Sequence, residues 1–350
     1  MQDRFEISYV TTLPKLANAP KISIFGNSNK TYRIKSYEII NGDMVLLYDN
    51  ICKVNESITF NIKQSYTEWV IDILDIDNNS LILRDCFNLK NKNVFIKMDA
   101  WALGDSIAWI PYVEEFRIKH DCNIICSTFH NHLFVSSYPN ILFVKPNTII
   151  ENVYAQYYIG ASSDDNLKYS PINVNKNPLQ MVASKILGLE DKEIRPDLTI
   201  KYLHIPSRIN GKYVTLSEYG SSENKHWMAE NGWQIVVDYL NSIGYRVLVI
   251  SKEKTNLVNI IDLSGDIPIS ERIIDIMHSE FHLGVSSGLS WLAWSLGKHV
   301  VMISDVTPNW HEFETNITRI NSNKLDEVNY LSDNQSKPEY VIEKLKELTV

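Results

Sequence analysis

Five short polar stretches in this sequence carry residue types that can do chemistry, and each follows an aliphatic run. The first is ALGDS, behind NVFIKM, with Gly104 and Asp105. Glycine permits a tight turn and close backbone approach. A carboxylate at a helix start is favoured by the dipole, and in a cleft it can act as a general base toward an attacking hydroxyl. Capping is the commoner use of Asp at such a place, and spacing alone favours the cap. The second stretch, SEYGSSENKHW after KYVTL, sets Lys225 at a helix start behind a small polar loop. Backbone N–H groups and a point charge together suit an anion. Taken alone, a solvated loop with a surface lysine is the simpler account, and His226 reads as a packing or surface histidine.

The third stretch is Ser251, Lys252 and Glu253, behind RVLVI. A carboxylate there can hold a ribose hydroxyl pair, and a plain charged loop explains the residues as well. The fourth is Ser286-Ser287-Gly288, behind FHLGV. It opens a helix whose Leu289, Leu292, Ala293 and Leu296 recur at i, i+3, i+4 and i+7, one apolar face for a sheet. Trp291 and Trp294 fall off that stripe. Small residues at the start leave N–H groups open to a diphosphate, whereas a capping serine explains only one of them. The last is Thr307-Pro308, followed by Trp310 and His311, behind HVVMIS. These can flank a base or sugar, or form a turn with one buried aromatic.

The elements that must position these residues fall into blocks. Residues 1–91 read as all-β: KISIFG, TYRIKSYEII, MVLLYD, SITFNIK, WVIDILD and LILRD are β-branched runs separated by Asn/Asp/Gly turns. From residue 92 strands and helices alternate, which implies a parallel sheet with crossover helices. ALGDSIAWIPYVEEFRIKH is loop then helix, with regular helix expected from Pro111. Residues 160–200, with three prolines, read as an irregular bridge. A second alternating block holds the helix NKHWMAENGWQIVVDYLNSIG, and the tail KPEYVIEKLKELTV is one more amphipathic helix. The fold expected is therefore α/β: two Rossmann-like lobes, 92–205 and 206–335, with a cleft between them, a small all-β domain before and a helix, 336–350, after. Ligands of such sheets lie at the carboxyl ends of the strands, where all five stretches fall. That joint placement suits a nucleotide-sugar transferase, with a base on one lobe and a diphosphate cradle, a cation and a ribose hook on the other.

Composition narrows the field. With 350 residues, 44% hydrophobic and 22% charged, the chain can bury two or three ordinary cores. A formal net charge of -8 without a basic run speaks against a nucleic-acid partner. No apolar run reaches bilayer length and the first twenty residues lack a leader pattern, so a cytoplasmic protein is expected. Cys52, Cys86, Cys122 and Cys126 read as free thiols rather than disulfides or a zinc site. No G-x-G-x-x-G follows a strand, which disfavours a dehydrogenase.

Over residues 98–320 the sequence resembles the bacterial autotransporter heptosyltransferases, which use ADP-heptose. The text that carries the likeness is ALGDSIAWIPYVEEFRIKHDC, NGWQIVVDYLNSIGYRVLVISKE and GVSSGLSWLAWSLGKHVVMIS with Thr307-Pro308. The resemblance implies a GT-B fold with a β-rich N-terminal domain. It implies metal-independent, inverting transfer to a Ser/Thr hydroxyl of a protein acceptor, with no cofactor beyond the donor substrate. It casts Asp105 as the base, Lys225 as the stabiliser of the leaving diphosphate, Ser286, Ser287 and Gly288 as the diphosphate wall, and Ser251, Lys252 and Glu253 as the adenosine border. Gly104, Leu289, Thr307 and Pro308 complete the expected donor site. One departure stands out: the family holds iron in a C-terminal cluster of four cysteines, and no cysteine follows Cys126 here. That puts the iron site, ring assembly and the acceptor in question, although a homo-oligomer stays compatible with the sequence. Transfer to a lipopolysaccharide core or other glycan, and donor binding without transfer, are the alternatives.

Overall fold

The computed structural model describes residues 3–10, 19–60, 65–98, 100–161, 170–304, 307–320 and 337–349. The N-terminal strands build two antiparallel sheets. β1 (Arg4–Ser8), β2 (Lys21–Phe25) and β5 (Ser57–Thr59) lie in the order β1-β2-β5. β3 (Thr31–Ile40), β4 (Asp43–Lys53), β6 (Trp69–Asp75) and β7 (Leu81–Cys86) lie in the order β4-β3-β6-β7. The β3–β4 hairpin turns at Asn41-Gly42, both at positive φ, as a two-residue turn matching strand twist requires. Alternate residues Tyr32 and Ile34, with Ile71 and Ile73, enter the core. Of the expected run SITFNIK, residues 61–63 lie outside the described residues, as does the 335/336 boundary.

β8 (Asn93–Met98), α1 (Leu103–His120), β9 (Asn123–Thr128), α2 (Asn131–Phe134), β10 (Ile141–Val144) and β11 (Ala155–Ile159) form the first alternating unit. Its strands are all parallel, in the order β10-β9-β8-β11. After α3 (Leu179–Leu187) comes the second: β12 (Tyr213–Ser217), α4 (Gly232–Ser242), β13 (Arg246–Val249), β14 (Ile261–Asp262), α5 (Ile269–Met277), β15 (Phe281–Val285), α6 (Gly288–Ser295), β16 (His299–Ile303) and β17 (Ile317–Ile320). These six strands are also parallel, in the order β14-β13-β12-β15-β16-β17. The strand order reverses at β8/β11 in one sheet and at β12/β15 in the other. Loops diverge at such switch points and leave a crevice at the carboxyl ends. α7 (Pro338–Thr349) packs on α4, with Val341 and Leu345 buried.

Several expectations change. Regular helix starts at Leu103, not Pro111, which lies inside α1. A helical proline forfeits one backbone bond, but Ile107, Ala108, Trp109 and Ile110 are wholly buried, and that packing outweighs it. The helix expected from Asn224 starts instead at Gly232, and Glu223–Lys225 form one 3-10 turn. Asn231 takes a left-handed conformation (φ 50°), and Trp227 packs edge-on against Trp233. Residues 160–200 are not wholly irregular: α3 buries Val182, Ala183 and Ile186 and packs on α1, where the Trp109 indole donates to the Leu179 carbonyl at 3.0 Å. Trp291 and Trp294 are buried rather than off the packed face of α6. That short helix is enclosed by sheet on one side and α1 on the other, so it has no solvent face. Trp294 stacks on Phe313 at 4.7 Å.

Candidate active site

Helices α1 and α6 meet through two glycines. A Cβ on Gly104 would stand 2.8 Å from Trp291 Cδ1, and one on Gly288 would stand 2.9 Å from Leu103 Cβ. Glycine at both places lets the helix starts, each just beyond a switch-point strand, approach closely. A cavity of about 720 Å³ opens beside this crossing. From the first sheet's side it is lined by Trp101, Gly104, Asp105 and His130. From the second come Asn224, Lys225, Lys252, Ser286, Ser287, Gly288, Thr307, Pro308 and His311.

Asp105 lies in the first turn of α1. The N-cap is Ala102, and no side chain caps this terminus, so the capping role expected from spacing is not what Asp105 does. Burial pushes its carboxyl up to about 6, and the charge of Lys225 partly offsets the rise. A carboxylate held near 6 is matched to general-base work around neutral pH. Lys225 is brought in by the loop after β12. A Cβ on Gly220 would come within 3.1 Å of the Ser286 carbonyl oxygen and 3.3 Å of Lys225 Cβ, so glycine there lets this loop lie against the start of α6.

At that start the two serines divide. Ser287 is the N-cap, and its hydroxyl accepts from the Ser290 amide at 3.4 Å. The amides of Gly288 and Leu289 have no acceptor within the helix, and beside Lys225 they suit an anion. Ser286 is buried and its hydroxyl donates to Glu312 Oε1 at 2.6 Å. The other Glu312 oxygen pairs with Arg319, whose second nitrogen reaches Thr307 Oγ1 at 3.4 Å. Burial alone would raise the Glu312 carboxyl, but Arg319, His311 and the Ser286 hydroxyl together hold it below its ordinary range. His311 lines the cavity, and burial, with Lys225 and Arg319, lowers its imidazole, which favours the neutral form. Glu312, Arg319 and His311 had no sequence signal as a group, because only a loop and β17 bring them together.

The third loop contributes less directly. Ser251 is buried, its hydroxyl accepting from the Glu218 amide at 2.8 Å and its carbonyl from Arg272 at 3.2 Å. Neither Ser251 nor Glu253 lines the main cavity. Lys252 does, and it also borders an adjoining cavity of about 410 Å³ with Leu289, Asp266 and Arg272. Trp310 faces a separate cavity beside α3.

Cys52 is in β4, Cys86 in β7, Cys122 just before β9 and Cys126 within it; all are free, and all but Cys86 are buried. Among the described residues no three His, Cys, Asp or Glu side chains are placed to hold a metal.

No protein-family model matches the chain. It is 32% identical over 298 residues to the autotransporter heptosyltransferase Aah of Escherichia coli, spanning 81% of this chain and 75% of that one. To the autotransporter heptosyltransferase BAHTCr of Citrobacter rodentium it is 30% identical over 278 residues, 75% and 67% of the two chains. This chain belongs to the autotransporter heptosyltransferase family. It is accordingly an enzyme of the glycosyltransferase class. One relative, BimC of Burkholderia thailandensis, 28% identical over 263 residues, is described as inactive. The present chain has the fold of the iron-containing dodecameric glycosyltransferase TibC from enterotoxigenic E. coli, with TM-score 0.82 at 22% identity over 99% of this chain and 97% of that one. A second TibC structure, in complex with ADP-D-beta-D-heptose, matches with TM-score 0.81 at 22% identity over 99% and 96%.

Proposed function

We propose that this heptosyltransferase-family chain moves heptose from ADP-heptose to a Ser/Thr hydroxyl of a protein acceptor with inversion. The observation that carries the reading is that Asp105 and Lys225 line one cavity, close enough for the lysine's charge to be felt by the carboxyl, beside the open amides of α6. In the proposed reaction Asp105 takes the acceptor hydroxyl's proton as the oxygen attacks the anomeric carbon. The bond from that carbon to the diphosphate breaks, and ADP leaves. Lys225 and the Gly288 and Leu289 amides stabilise the negative charge that grows on the diphosphate. Lys252 borders the nucleoside. Because these groups supply positive charge where it is needed, the reaction is proposed to run without a metal.

The same proposal treats the two parallel sheets as the lobes of a GT-B enzyme. Residues 92–205 form the acceptor side, 206–335 the donor side, 1–91 a preceding β domain and 336–350 a closing helix. Association into a homo-oligomer is part of it, in keeping with the dodecameric TibC. The test is calorimetric titration with ADP-heptose, followed by mass detection of transfer to protein and to lipopolysaccharide-core acceptors. Absence of donor binding sinks the proposal, and transfer only to the core moves it to the glycan class. Donor binding without transfer is a second reading, motivated by the inactive relative BimC. Asp105 and Lys225, both present in the cavity, argue against it.

A further inference from the structure

Among the cavity-lining residues Trp101 is out of keeping with its type. Tryptophans 69, 109, 227, 233, 291 and 294 are buried, whereas Trp101 is 77% exposed. Leaving so large an apolar surface in water is costly, and yet the ring is braced. It stacks on Phe129 with centroids 3.6 Å apart and planes within 17°. Its carbonyl is also joined to the His130 ring nitrogen at 3.1 Å, tying the loop after β8 to the loop after β9. One face of the indole is thus covered by Phe129 and the opposite face is presented. The position is four residues before Asp105, on the same cavity as Lys225 and the start of α6.

Charge completes the picture. The lysines that line this cavity, Lys225 and Lys252, both belong to the second sheet's loops. From the first sheet's side and the α3 approach come Trp101, His130, Ala161, Val174 and Asn175, with the Asp105 carboxylate and no lysine or arginine among these described residues. A phosphate- or carboxylate-bearing acceptor would call for arginine or lysine there. A rigid aromatic face with apolar and amide neighbours such as Val174 and Asn175 instead suits an uncharged polypeptide segment, which offers apolar side-chain surface and amides.

Resting on the transfer reading above, we infer that Trp101, braced by Phe129, is the acceptor platform of this enzyme and selects an uncharged Ser/Thr-bearing polypeptide segment over an anionic glycan. Its removal raises the acceptor KM without touching the donor.

The full chain is assayed with ADP-heptose, an array of uncharged serine- and threonine-containing peptides, and a phosphorylated core oligosaccharide. Wild type, Trp101→Ala and Trp101→Phe are compared, with thermal melts as a folding control. Transfer to peptides is expected, with acceptor KM at least about tenfold higher in Trp101→Ala and partly restored in Trp101→Phe. The kcat, the donor Kd by calorimetry and the rate of donor hydrolysis by water should stay within about twofold. An unchanged acceptor KM overturns the inference, and so does a parallel loss of donor affinity, which would place the indole on the donor. Donor hydrolysis with no peptide accepted, or transfer to the anionic oligosaccharide alone, overturns it as well while leaving glycosyl transfer standing. Failure of wild type to bind or hydrolyse ADP-heptose strikes the transfer reading itself.

Discussion

Gly288 faces Leu103 so closely that a Cβ added to it would lie 2.9 Å from the Leu103 Cβ, and Gly104 stands in the same relation to the Trp291 ring. The crossing of α1 and α6 is therefore a pair of reciprocal close approaches at the two helix starts that frame the cavity. Leu103 Cβ is fixed to its backbone and cannot swing away. Gly288→Ala is expected to cost about 1–3 kcal/mol through overpacking, and to lower kcat/KM by shifting the α6 amides. Urea unfolding and donor calorimetry check both; a fully stable, fully active variant would remove the close approach as a constraint.

Asp105→Asn should lower kcat by about 10²–10⁴-fold, the range of a lost general base, while donor Kd stays within about twofold. Calorimetry with ADP-heptose beside steady-state rates reads the two separately.

Acidity gives an independent check on the same residue. Burial raises the Asp105 carboxyl from its ordinary 3.8 to about 6, so kcat/KM should rise through an acid limb centred near pH 6 as the base ionises. The folded state binds this proton more tightly than the unfolded chain does. Stability is therefore unaffected by the group below about pH 4, falls as pH rises toward 6, and is lower by up to about 3 kcal/mol above it. Asp105→Asn should accordingly raise Tm at pH 8 and leave it nearly unchanged at pH 4.

Lys225 lowers the Asp105 carboxyl and is proposed to meet the diphosphate. Lys225→Ala should weaken kcat/KM for the donor by about 10–100-fold, in line with loss of a charged hydrogen bond. It should also move the acid limb to higher pH. A lower kcat/KM with an unmoved limb would mean the two residues do not sense each other.

The Glu312–Arg319 pair is almost fully buried, with side-chain exposures of 0% and 8%. Glu312→Leu strands the guanidinium and should cost about 3–5 kcal/mol, whereas Glu312→Leu with Arg319→Met should recover much of it. Urea denaturation of the four members of this cycle measures the coupling.

Local pattern was a sound guide wherever a residue's role follows from its immediate neighbours. The β-branched runs before residue 91, the alternation after it, the amphipathic tail and the helix start at Ser286–Gly288 could all be read this way. Their errors share one cause. Pro111 inside α1, the helix at Leu179–Leu187 and the inward tryptophans of α6 depend on burial by distant segments, which no local window contains. The late start of α4 depends on Trp227 docking against Trp233 and on a left-handed Asn231.

By itself, then, the sequence determined which residues stand at the carboxyl ends of strands, because strand, turn and helix signals are local and need only chain geometry. The strand order, with its reversals at β8/β11 and β12/β15, was decided by tertiary structure. So were the approach of α1 to α6, the raised Asp105 carboxyl and the Ser286–Glu312–Arg319 chain. These arise when segments far apart in sequence exclude water together. Burial and pairing are properties of the packed molecule rather than of any stretch within it.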